Sequence, residues 1–140
     1  ARQRIRDRFH TTLKLEPKEI TVTSADEAFL TRSMEIVEEY MEDPTFTVEV
    51  FAHELAASRP LLFTKIKAIT NQTPNNFVKS LRLKRSAQFL LQSDMGVAEI
   101  AYKVGFRDAR YFSKCFQKEF GKTPSEYRNI PTTQGKTKLD

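Results

Sequence analysis

Apolar residues recur along this chain at three- and four-residue spacings, in short blocks separated by proline, small residues and capping side chains. The first block follows "SADE", Ser24–Glu27, which reads as a capping box: the Ser24 hydroxyl accepts from the Glu27 amide while the Glu27 side chain reaches back. Phe29, Met34 (or Ser33), Val37 and Tyr40–Met41 then make a helical stripe, with Glu35, Glu38, Glu39 and Glu42 opposite. In the second block Thr47 is placed as an N-cap and Phe46 can staple to Phe51, leaving Val48, Phe51, Ala52 and Leu55 as the buried face. Ala56, Ala57 and Ser58 make a tight turn into a third helix, which Ser58 caps and which tolerates Pro60 in its first turn. There Leu62, Ile66 and Ile69 form a narrow core stripe, while Pro60, Phe63, Thr64, Lys67 and Asn71 turn away from it. Two helices across a short turn, the second with a core stripe and a separate exposed face, predict a helix-turn-helix.

The same plan is written again. "QTPNNF" at Gln72–Phe77 and "KTPSEY" at Lys122–Tyr127 share a corner of Thr-Pro followed by two polar residues and an aromatic. Upstream of the second corner, Ile100, Ala101 and Val104 match Phe51, Ala52 and Leu55, and Gly105 stands where Ala56 stands. One extra residue in the second turn then shifts the register, so that Asp108 caps where Ser58 does and Phe112 and Phe116 replace Leu62 and Ile66. Arg110, Ser113, Lys114 and Gln117 fall at the angles of Pro60, Phe63, Thr64 and Lys67. Each corner is expected to close its unit: Thr caps a helix, Pro takes its first position, and the aromatic docks back. Between the units, residues 74–93 predict one continuous helix roughly 30 Å long, near the roughly 34 Å that separates successive major-groove faces of a duplex. Its stripe is read as Leu83, Ala87, Leu90 and Leu91, with Lys79, Arg82, Lys84 and Arg85 around the rest. Arg82 is read either as a solvated cation or as a phosphate contact. The fold expected is all-α, about seven helices: a domain over 26–129 with helix-turn-helix units at about 47–71 and 97–121. The linker helix joins them, residues 1–25 lead in, and 130–140 form a flexible tail.

Composition agrees and narrows the chemistry. A chain of 140 residues suits one domain, and 39% hydrophobic content with eleven Phe suits a compact interior. Four Gly and no Trp favour helices over strands. One cysteine excludes an internal disulfide framework and a multi-Cys zinc site. Cys115 is expected as a packed thiol, and His53 as a surface or half-buried structural residue. With no glycine-rich phosphate loop and no paired carboxylates in a catalytic frame, no enzyme activity, metal or cofactor is expected of this segment. No apolar run approaches the roughly 20 residues of a membrane span, and a cytoplasmic setting is the simplest expectation.

Charge is segregated. Residues 1–57 hold 7 Lys and Arg against 12 Asp and Glu, whereas residues 58–140 hold 16 against 6. A local excess of ten positive charges makes a polyanion the first candidate partner, and the acidic first helix then belongs on the far side of the core. A helical module whose basic face meets an acidic protein is the alternative.

"RLKRSAQFLLQSDMGVAEIAYKVGFRDARYFSKCFQKEFGKTPSEYR", Arg82–Arg128, resembles the signature of the AraC/XylS family of bacterial transcription regulators. It matches in Arg-Leu, Ala, Leu-Leu, Ile-Ala, Val-Gly-Phe, Tyr-Phe-Ser, Phe, Phe-Gly-Thr-Pro and Tyr-Arg. The upstream "LKLEPKEITVTSADEAFL" resembles the junction ahead of this domain in hybrid two-component regulators of Bacteroidetes, many of which control glycan-use genes. The resemblance implies sequence-specific binding of double-stranded DNA and transcription regulation. Bases would be read by Arg59, Pro60, Phe63, Thr64 and Lys67 in the first unit and by Arg110, Ser113, Lys114 and Gln117 in the second. Phe63 departs from the long polar residue common there, and is read either as a thymine-methyl contact or as cover for a core edge. Phosphates would be held at the amides near Thr47 and Val97 and by Arg82 and Lys122. An upstream receiver, RNA polymerase and a second copy on DNA are the further partners implied, with the parent chain's sensor anchored in the inner membrane.

Overall fold

The computed structural model describes residues 23–130; expectations for the lead-in before Thr23 and the tail after Ile130 lie outside the described residues. Among these, seven α-helices follow one another and no strand forms. They are α1 (Ser24–Glu39), α2 (Val48–Glu54), α3 (Arg59–Thr70), α4 (Pro74–Gln92), α5 (Val97–Lys103), α6 (Ala109–Phe120) and α7 (Pro124–Arg128). The α2–α3 pair and the α5–α6 pair are the two helix-turn-helix units, and α4 runs unbroken between them.

Most helices start where the hydroxyl and carboxylate caps said they would. Thr47 accepts from the Val50 amide, Ser58 from Leu61 and Thr73 from Asn76, each taking up an amide that has no helical partner. Asp108 does the same for Arg110 and Thr123 for Glu126. The box before α1 is one residue earlier than Ser24–Glu27. Thr23 is the extended cap residue, its hydroxyl accepts from the Asp26 amide, and the Asp26 carboxylate reaches back to the Thr23 amide. Ser24 is already helical, so its hydroxyl cannot aim along the first turn.

The Thr-Pro corners close the units by aromatic docking. Phe77 is fully buried and stacks on Phe51 with ring centroids 6.2 Å apart; Tyr127 meets Phe116 edge-on at 5.3 Å. Phe46 packs on Phe51 at 5.6 Å, the expected staple. Leu62, Ile66, Phe112 and Phe116 are fully buried. Each such side chain stabilises the fold by about 1.5–3 kcal/mol of transfer free energy.

The linker helix differs in its outer positions. Packed by α1, α3, α5, α6 and α7, it buries a wide arc that includes Phe77, Leu81, Leu83, Ala87 and Leu90. Leu91, assigned above to the core stripe, is instead 47% exposed. Leu83, Ala87 and Leu90 already form one inward row, and Leu91 lies 100° round the helix from Leu90. Of the acidic residues on α1, Glu38 pairs with the half-buried Arg85 of α4.

Candidate nucleic-acid interface

Each unit aims its second helix through a turn that requires left-handed backbone. Ala56 has φ 56° and Gly105 has φ 96°, at matched positions. In both turns the next amide returns to the same place in the preceding helix: Ala57 N–H donates to Ala52 O at 3.0 Å, and Phe106 N–H to Ala101 O at 2.9 Å. The registers of α2 and α5 differ by 49 positions and those of α3 and α6 by 50, so the extra residue sits in the second turn. α3 and α6 therefore leave their units at equivalent places, each seated on α4 by its own apolar stripe.

The outward faces carry the side chains named from sequence. On α3, Arg59, Pro60, Thr64 and Lys67 are exposed, and the Phe63 ring is 49% exposed. On α6, Arg110, Lys114 and Gln117 are exposed and Ser113 is half-buried. Arg59 is engaged, 3.0 Å from Glu49 of α2, but the pair is solvent-exposed and contributes little, so the guanidinium remains available to a stronger anion. Two exposed side chains escaped the sequence reading. Tyr111 packs its ring, tilted by 50°, near Phe106 with Lys79 of α4 5.9 Å from its centroid, and Arg107 stands in the second turn. The shift of one residue in that turn was the available signal for both.

The positions expected to meet phosphates differ in their surroundings. Thr47 is exposed at the start of α2, and Lys122 is exposed in the corner after α6. Val97 opens α5 behind Gly96, which supplies no side-chain cap, so the first amides of α5 have none. Arg82 is not a surface cation. It is 8% exposed, its Nη1 donates to Gly105 O at 2.6 Å and its Nη2 to Asp43 O at 3.0 Å. Burial lowers its pKa, with Asp43 opposing the shift, and its normal value is so high that the group stays charged. A guanidinium enclosed by protein carbonyls cannot also hold a duplex phosphate. The neighbouring cations are partly held too: Lys84 lies over Phe120, and desolvation lowers the pKa of Arg85.

His53 is exposed and Cys115 is half-buried against the core. Among the described residues no cluster of three or more His, Cys, Asp or Glu could hold a metal, and no helix is long and apolar enough to cross a membrane.

A family model described as "Helix-turn-helix domain" matches residues 51–130. Histidine kinase P4 of Formosa agariphila is 47% identical over 128 residues, covering 91% of this chain and 9% of the kinase. A transcriptional regulator of Chromobacterium violaceum described as AraC-type DNA-binding superposes with TM-score 0.70 and 26% identity, covering 79% of this chain and all of that one. The DNA-binding domain of AdpA, solved in complex with a target DNA, superposes with TM-score 0.65 and 25% identity, covering 71% of this chain and 88% of its own. The chain spans about a third, or less, of the length of the curated relatives it matches.

Proposed function

Because this chain belongs to the AraC-type helix-turn-helix family, we propose that α3 and α6 enter successive major-groove faces of one DNA duplex and read its sequence to regulate transcription. The observation that carries this reading is the duplication itself. Two matched turns deliver two helices with buried inner stripes and exposed, largely polar outer faces, and one unbroken 19-residue helix joins them. Such a helix is about 28 Å long, close to the roughly 34 Å spacing of the groove faces.

Within this reading Arg110 and Lys114, four residues apart on α6, are placed to donate to guanine O6 and N7, and Gln117 to pair with adenine. Phe63 and Thr64 on α3 offer apolar contact to thymine methyls, with Arg59 and Lys67 flanking. The helix starts at Thr47 and Val97 and the Lys122 ammonium meet phosphates, which set register without reading sequence. The match to a small fraction of a histidine kinase supports a place as the output domain of a longer two-component signalling chain. In that chain an upstream receiver controls pairing on repeated half-sites, RNA polymerase is the eventual partner, and any kinase chemistry lies outside this domain. DNA as ligand places the domain in the cytoplasm.

Selecting bound duplexes from a random pool tests the reading. A reproducible bipartite motif is expected, and the Arg110→Ala, Lys114→Ala double variant should bind it about 10- to 1,000-fold more weakly. Equal binding by the double variant would overturn the assignment of α6 as a reading helix. Binding without preference among duplexes, but tight to an acidic protein at moderate salt, would favour a protein-docking module instead.

A further inference from the structure

We propose that Arg82 is the positioning residue that locks the two reading units at one relative orientation, and so sets the half-site spacing the domain accepts. This rests on the two-unit DNA reading above. The guanidinium leaves the middle of α4 and ties together segments 39 and 23 positions away in sequence. Asp43 belongs to the loop that leads from α1 into α2, the first helix of the first unit; Gly105 is the left-handed turn residue of the second. One planar group thus holds a carbonyl in the turn of the second unit and one in the segment that enters the first.

The surrounding contacts belong to the same junction. Glu42 of the loop pairs with Lys103 at the end of α5 at 3.0 Å, and Arg107 Nη2 lies 3.5 Å from Pro44 O. A methyl group on Gly105 would overlap both the Arg82 guanidinium and the Met41 carbonyl, so the second turn is pressed directly onto the loop. The interaction is not economical as a source of stability. Arg82 Nε finds no hydrogen-bond partner among the described residues, and a buried cation is commonly matched or bettered in stability by a well-packed apolar side chain. What a guanidinium offers here is direction: two donors in a fixed plane set the angle between two carbonyls, which neither an ammonium nor a thioether can do. Because each base pair inserted between half-sites rotates the second one by roughly 35° and moves it by roughly 3.4 Å, a rigid junction makes spacing a selected property of the operator.

The test uses the duplex selected by the parent chain, together with versions carrying one or two extra base pairs between its half-sites. The parent should lose roughly 30-fold or more in affinity with two inserted pairs, the cost of forfeiting contacts in one half-site. Arg82→Lys and Arg82→Met should bind the original duplex roughly tenfold more weakly, because the competent orientation is only fractionally populated, and should lose less than roughly fivefold on insertion. Variants that keep the parent's ratio between duplexes, however weak their binding, overturn the proposal, since lost stability or a lost phosphate contact would scale every duplex alike. Residual dipolar couplings without DNA give a separate readout: one alignment tensor for both units in the parent, two in the variants. If the parent selects no motif, the DNA reading fails while the couplings still decide the role of Arg82. Should neither variant fold, the exposed Glu42→Ala, Lys103→Ala pair carries the test at the rim of the same junction. A spacing ratio reduced by roughly twofold or more supports the lock, and an unchanged ratio overturns it.

Discussion

Phe63 is a half-exposed aromatic ring on a face shared with Arg59, Pro60, Thr64 and Lys67, where an apolar group has little to gain from water. Under the proposed DNA reading, contact with thymine methyls would bury this side chain on binding. On that reading Phe63→Ala should weaken binding of the selected duplex by about 5- to 30-fold, the loss expected for roughly 1–2 kcal/mol of apolar contact. Replacing the half-site thymines by uracil should abolish the difference between parent and variant in a titration. Asp43 shows a second residue-scale effect. The Thr45 hydroxyl and then its amide donate to the carboxylate, and together they hold its pKa below the ordinary carboxylate value. A lowered folded pKa contributes stability that is complete above the unfolded value, near 4, and fades as pH falls through the folded one. Thermal melts of parent and Asp43→Asn should therefore differ by a constant amount from pH 5 to 8, and converge as the pH drops below about 4.

At the scale of elements, the two turns make matched demands that their residues meet unequally. Ala56 holds a left-handed conformation that glycine adopts without strain, and Ala56→Gly should raise stability by about 0.5–1 kcal/mol in urea titration. Gly105→Ala goes the other way. Besides the strained φ, its methyl meets a guanidinium and a backbone carbonyl, so a loss of about 3 kcal/mol or more is expected. Gly121 also has positive φ, but space around it is open, so alanine there should cost only about 1–2 kcal/mol. These turns were legible because small residues recur at a fixed distance from an apolar pattern. The cap before α1 was misplaced by one residue because Thr23, Ser24 and Asp26 can all cap, and local chemistry alone does not choose among overlapping boxes.

For the whole molecule, charge and length act together. The excess of Lys and Arg after residue 57 predicts binding that falls steeply with salt, and Lys122→Ala should reduce the slope of log K against log salt by about 1 without changing sequence preference. Arg82→Ala should leave that slope unchanged, because a buried guanidinium releases no counterion when DNA binds.

The repeat, most of the caps and the inner stripes of α3 and α6 were determined by sequence alone, because spacing along one helix fixes which side chains share a face. The exposed side chains of α3 and α6 could be named for the same reason. Tertiary packing decided what periodicity cannot encode: which flank of α4 is covered, and by what. Helices packed around that rod turn Arg82 into a buried tie while Leu91, one residue past a core position, faces water. A one-dimensional pattern ranks positions by angle, but only neighbours from distant parts of the chain supply the carbonyls that make burying a cation tolerable.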